Sequence, residues 1–312
     1  YHTNEAGTIE VAFIDTNNRF LNGENGTIIT DPSKVTYTDG VQNEWLVHPA
    51  FTSSAENGGG FGEIAGLWVG KFEATGTKEN VTVKPGELSL RAMTINEQYH
   101  AGLNANFEER VNINSHIAKN SEWGAIAYLA YSKYGTNKQE IEVQSNGVTT
   151  GGTNDLKAIY IANKKQSTTY NAYGVYGISG GAWERTANYV NYEASTYLAT
   201  YGGTEKGDLY GEGNERNTST KYKTVYQAKE TDVQQSYELA SSKKGDAIYE
   251  ISNESKNETA SWLGQCAYFP YVGNPFFVRS GRFSTDNSGI FFFNYALGHT
   301  EGDSTFRMIL VV

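Results

Sequence analysis

The sequence predicts an α+β fold with two helices, small antiparallel sheets and long loop insertions. Three observations carry this. The first is composition: 34 glycines stand against 5 prolines, with 22 Tyr, 14 Phe and 5 Trp, which suits many tight turns around an aromatic core. The second is an apolar stripe at Trp123, Ile126, Ala127 and Ala130, spaced i, i+3, i+4, i+7 as one helix face requires. The third is the run Phe306–Val312 (FRMILVV), apolar enough for a strand buried on both faces.

In chain order, Gly7–Asp15 alternates Ile9, Val11 and Phe13 and predicts a half-buried strand. Asn22–Gly26 is turn chemistry, with Thr27–Thr30 as the returning strand. Residues 1–43 are thus read as a short β-rich segment, and 44–312 as the main domain. Gly66–Glu73 predicts a strand with Leu67 and Val69 on one side and Trp68 and Phe72 on the other. Thr94, with Glu97 three residues on, is a capping box that opens a helix through Tyr99 to Leu103. A second helix is expected over about 118–134, with Gly135 as its C-cap. Residues 136–170 and 191–260 are polar and poor in apolar anchors, and read as insertions.

The 312 residues hold 25 Lys plus Arg against 35 Asp plus Glu, a formal charge of −10. Phosphate recognition needs a concentrated basic surface, so nucleic acid is not an expected partner. No apolar run approaches the ~18 residues of a membrane span, so no direct insertion is expected from this segment. The chain begins at Tyr1 without an apolar leader, which reads as a mature or trimmed product. A single cysteine, Cys266, excludes an internal disulfide and multi-cysteine zinc sites.

Four segments carry a family resemblance: LWVGKFEAT (67–75), SEWGAIAYLA (121–130), GVYGISGGAWERT (174–186), and a closing stretch with Arg279, Gly281, Phe306 and Arg307. In this order they resemble the sulfatase-modifying-factor branch of the C-type lectin fold, which includes the formylglycine-generating enzymes. With VHPAF (47–51) and the stretch from Tyr268 to the end, the chain is most similar to the variable proteins of diversity-generating retroelements. The departure is Ser280, where glycine is usual. The resemblance implies a C-type lectin fold and a non-catalytic, diversifiable ligand site near the C-terminus. It implies a protein or glycan ligand on another cell or particle, and an extracellular location on a bacterial surface or phage virion. Trp183 and Glu184 follow Gly180–Gly181, as expected where a tight turn lets an indole pack under a loop and a carboxylate meet backbone N–H groups. Arg279 and Arg307 are expected to buttress such carboxylates.

The candidate ligand-binding residues are Asn274, Phe276, Arg282, Ser284, Thr285, Asp286, Phe292, Tyr295, Ala296, Leu297, His299, Glu301 and Asp303. Aromatics crowd between Tyr268 and Tyr295. Strand alternation is expected to send half of them inward and half outward, with Phe291 and Phe293 on one face and Phe292 on the other. Exposed rings among Ser, Asn, Asp and Gly are paratope chemistry. A metal-dependent oxidase is the alternative, but one thiol cannot supply a copper-binding cysteine pair. His2, His48, His100, His116 and His299 show no paired helical spacing. No cofactor is expected beyond a structural calcium on loop carboxylates such as Glu301 or Asp303. A structural virion or pilus component is the third alternative.

Overall fold

The computed structural model describes residues 48–62, 64, 66–107, 114–151, 159–229, 234–243, 245–252 and 254–311, plus the backbone of three short strands nearer the N-terminus. Those three, β1 (Phe13–Ile14), β2 (Phe20–Leu21) and β3 (Ile28–Ile29), form an antiparallel meander. β1 and β3 fall within the expected strands. The rest of the expected N-terminal strands and the Asn22–Gly26 turn lie outside the described residues.

The main unit is α+β. Its strands are β4 (Trp68–Val69), β5 (Thr75–Thr77), β6 (Asn80–Thr82), β7 (Asn114–Ile117), β8 (Trp183–Asn191), β9 (Thr224–Gln227), β10 (Lys256–Ser261), β11 (Gln265–Tyr268), β12 (Phe276–Arg279), β13 (Phe293–Ala296), β14 (Ser304–Phe306) and β15 (Met308–Val311). The helices among the described residues are α1 (Ile95–Leu103), α2 (Asn120–Tyr131), α3 (Ile159–Ala162) and α4 (Thr196–Gly202).

α1 starts where the capping box places it. Thr94 Oγ1 accepts from the Glu97 N–H at 3.3 Å and the Glu97 carboxylate accepts from the Thr94 N–H at 2.8 Å. α2 buries Trp123, Ala127 and Ala130 as its periodicity predicts. It ends at Ser132 rather than Gly135, because the Ser132 N–H already closes on Tyr128 O and Leu129 O. The expected strand over 66–73 is only the two residues of β4. Past it the Gly70 N–H turns to Met308 O and the chain bends, leaving Trp68 70% exposed while Phe72 is buried.

A seven-stranded sheet runs β10-β11-β13-β12-β8-β14, with β9 also on β8. The nine residues of β8 take β14 and β9 in parallel along one edge and β12 antiparallel along the other. Its side chains alternate between two cores. Val190, Tyr226, Ala267, Phe277 and Phe293 join one core with α2 and Ile248. Tyr189, Val225, Cys266, Phe276, Val278 and Phe292 join the other with α1 and Leu198.

Because both faces are covered, the expectation that half of the aromatics face water is corrected. Phe291 and Phe293 do lie opposite Phe292, but all three are buried. Phe276, Phe292 and Ala296, read as ligand-binding, are core residues, and each buried Phe contributes about 2 kcal/mol. The stretch 191–260 is likewise no appendage. It supplies α4, β9 and β10 to the main unit, and Val225, Tyr226, Ile248 and Ile251 are fully buried.

A second small sheet, β4-β15-β7, places β15 between two strands from far earlier in the chain. The expected single strand over 306–312 is therefore two, β14 and β15, divided at Arg307. That guanidinium clamps the Glu184 carboxylate, with Nε to Oε2 at 2.9 Å, and also donates to Gly70 O and Tyr176 O. The carboxylate that meets a backbone N–H at this turn is Glu73, bonded by the Ala182 N–H at 3.0 Å. Arg279 makes no bond to Glu184; burial disfavours its ionised form, and the carboxylate charge that favours it is that of Asp246. Arg279 donates to Ala247 O and lies 5.6 Å from the Trp123 ring.

Candidate recognition surface

Two loops leave the ends of β12 and β13. The first, 280–289, opens with two residues in the left-handed region, Ser280 at φ +69° and Gly281 at φ +76°. Only glycine adopts this region without strain, so Ser280 stands in a conformation that favours glycine. The Ser280 hydroxyl compensates locally by donating to carbonyl oxygen, 2.8 Å from Gly281 O and 3.2 Å from Ala182 O. Ser288 Oγ, 2.8 Å from Thr285 O, ties the loop across its base. Ser284 and Asp286 emerge as exposed side chains and Thr285 as a half-buried one. Together with Val143 and Ser145 they line a shallow cleft of about 250 Å³.

The second loop, 297–303, is pinned by main-chain bonds. The Ile95 N–H donates to Gly298 O, the Ala92 N–H to Glu301 O, and the Trp183 N–H to Asp303 O, each at 2.9 Å. With the backbone so held, Leu297 and His299 sit half-buried at the rim.

Charge chemistry gathers between the loops. Arg282 lies 4.8 Å over the Trp183 ring and donates to Asp303 Oδ2 at 2.7 Å. Behind it, fully buried Arg185 donates to Met93 O and Glu301 Oε2, both at 2.9 Å, and to His299 O. Burial holds the Arg185 guanidinium below its ordinary range, and the Glu301 charge opposes this. Arg91 reaches the same loop at Gly302 O.

Tyrosines form two further groups. Tyr295 packs edge-to-face on Tyr268 at 5.8 Å and Tyr271 at 5.2 Å, and Asn274 Nδ2 donates to Tyr271 Oη at 2.6 Å. Tyr201 lies 6.0 Å from the His299 ring and parallel to Tyr197, with 4° between their planes.

The structure thus brings Arg282, His299, Glu301 and Asp303 into one cluster and places Asn274 and Tyr295 in another, with Ser284–Asp286 on the neighbouring loop. Sequence reasoning missed Arg185, Tyr197 and Tyr201. The two tyrosines stand four apart on α4, a spacing that stacks side chains on one helix face, inside a stretch read as an insertion.

The residues suggested for metal chemistry are otherwise engaged. Glu301 and Asp303, candidate calcium ligands, are paired with arginines. Cys266 is buried, and burial together with the Glu258 charge pushes its thiol up to about 12. A thiol held protonated is a poor nucleophile and a poor ligand. Among the described residues no group of three or more His, Cys, Asp or Glu converges to hold a metal ion, and no helix is long and apolar enough to cross a membrane. No protein-family model matches the chain, and no curated protein does.

Proposed function

We propose that this chain is a non-catalytic ligand-binding protein of the C-type lectin fold, similar to the variable proteins of diversity-generating retroelements. In this reading it is displayed on a bacterial surface or phage particle, and its C-terminal loops recognise a protein or glycan on another cell or particle. The observation that carries the reading is the second loop, whose backbone is fixed by three main-chain hydrogen bonds while Tyr295, Leu297 and His299 remain partly open to solvent. A rigid support with changeable side chains is what a recognition surface requires.

The convergence of the motif segments adds support. Glu73 of the first and Ala182 of the third are bonded to each other. Trp123 of the second donates to Ile290 O at 2.8 Å. Arg307 of the last clamps Glu184.

The test replaces Tyr295, Leu297 and His299 together by alanine and measures labelled protein on a panel of intact bacterial cells and on arrayed glycans. Glu301 is left in place because it partners the buried Arg185. Binding is expected to fall at least about tenfold with Tm within about 4 °C of the parent. Unchanged binding, or a collapse of Tm, would overturn the reading.

A further inference from the structure

We infer that Asn146 is a site of spontaneous covalent modification, where its side chain closes onto the Gly147 amide, loses ammonia and leaves a carboxylate beside the 284–286 cleft. The inference stands apart from what the surface binds.

The chemistry begins in the sequence. Asn–Gly pairs stand at 22–23, 25–26, 57–58 and 146–147, and glycine has no Cβ to shield the main-chain nitrogen that must attack. The first two pairs lie outside the described residues, and the structure separates the other two.

At 57–58 the reacting groups are engaged. The Gly58 N–H donates to Ala55 O at 2.9 Å, and Asn57 Nδ2 donates to Ser54 Oγ at 3.1 Å. Gly58 is buried, and Ser121 Oγ donates to its carbonyl at 2.6 Å. At 146–147 the same groups are open. Asn146 is exposed, and among the described residues neither its side-chain amide nor the Gly147 N–H makes a hydrogen bond. Chain neighbours apart, a Cβ at Gly147 would meet no atom within 4 Å, whereas one at Gly58 would stand 2.6 Å from Ser121 Oγ.

Residues 145–147 also hang between two anchors. Before them, the Gln144 N–H donates to Ser179 O at 2.8 Å and the Gly181 N–H to Gln144 O at 2.9 Å; after them, the Ser89 N–H donates to Val148 O at 3.0 Å. Among the described residues, the hydrogen bond to the bridge itself is the long 3.4 Å one from Gln144 Nε2 to Gly147 O. The bridge can therefore swing the Gly147 nitrogen onto the Asn146 side-chain carbon without breaking a strong bond.

The reaction consumes only water. The Gly147 nitrogen gives its proton to solvent and bonds to Asn146 Cγ, the Cγ–Nδ2 bond breaks, and the leaving nitrogen takes up a proton and departs as ammonia. Water then opens the five-membered ring at Cγ to give aspartate, or at the main-chain carbonyl to give isoaspartate. The product adjoins Ser145, which lines the cleft together with Asp286, so the cleft wall gains a negative charge as the protein ages.

The test incubates the folded full chain in mildly alkaline buffer and follows its tryptic peptides by mass spectrometry, with isoaspartyl methyltransferase labelling as a second readout. Peptide 139–157 should gain about 1 Da at Asn146 and take up the methyl label. It should do so at least about tenfold faster than peptide 35–71 changes at Asn57. In urea the two rates should converge, because the bonds that hold Gly58 are lost. Asn146→Ser should leave Tm unchanged and remove both signals from peptide 139–157. Equal rates at the two sites in the folded protein, or an Asn146 still intact in the folded protein when the urea control has converted, would overturn the inference.

Discussion

At Glu184 two opposing effects act on one carboxylate. Burial favours the protonated form, the Arg307 guanidinium favours the ionised one, and burial prevails, so the group is raised from 4.5 to about 7. Its folded value thus lies above its unfolded value. Its contribution to stability is complete below about pH 4.5 and is lost as pH rises through about 7. Glu184→Gln keeps an acceptor for Arg307 and removes the titration. In urea unfolding, the stability of the parent relative to this variant is expected to fall by at most about 3 kcal/mol between pH 4.5 and 7.5; a gap that widens with pH would refute the assignment. The sequence made Trp183 and Glu184 visible as large and charged types after a glycine pair, and Arg307 through the resemblance of the closing segment. It did not disclose that Arg307 rather than Arg279 holds Glu184, since that pairing depends on β14 lying beside β8.

Among the elements, α1 was the most legible, because a capping box is a local device whose partners sit three residues apart. α2 was legible in its buried stripe and less so in its ends. Gly124 within α2 answers to a distant residue: a Cβ there would stand 1.9 Å from Gly245 O. Helix propensity alone favours alanine over glycine by about 1 kcal/mol, but a backbone atom cannot yield as a side chain can. Gly124→Ala is therefore expected to destabilise the protein by about 2–4 kcal/mol in chemical denaturation. Leu129→Ala, on the exposed side of the same helix, serves as a near-neutral control. The strands were harder to read. Period-two alternation assigns side chains to faces but does not say whether a face is wet, so Phe276 and Phe292 were assigned a surface that the second core already occupies.

For the molecule as a whole, closure depends on β15. Its partners, β4 and β7, come from the first half of the chain, and each of its four residues pairs with one or both of them. Removing residues 304–312 should abolish cooperative unfolding and the near-UV circular dichroism of the aromatic core, and a truncated chain that still melted sharply would contradict this. Such non-local closure is also why 191–260 looked peripheral: Val225, Tyr226 and Ile248 are sparse along the sequence, and Val225 and Tyr226 reach opposite cores only once β9 has paired with β8. The three amide tethers that hold the 297–303 loop come from Ala92, Ile95 and Trp183, and none involves a side chain of the loop itself. A combinatorial library built at Tyr295, Leu297 and His299 would therefore keep its members superimposable, because what they share is a main chain anchored from outside.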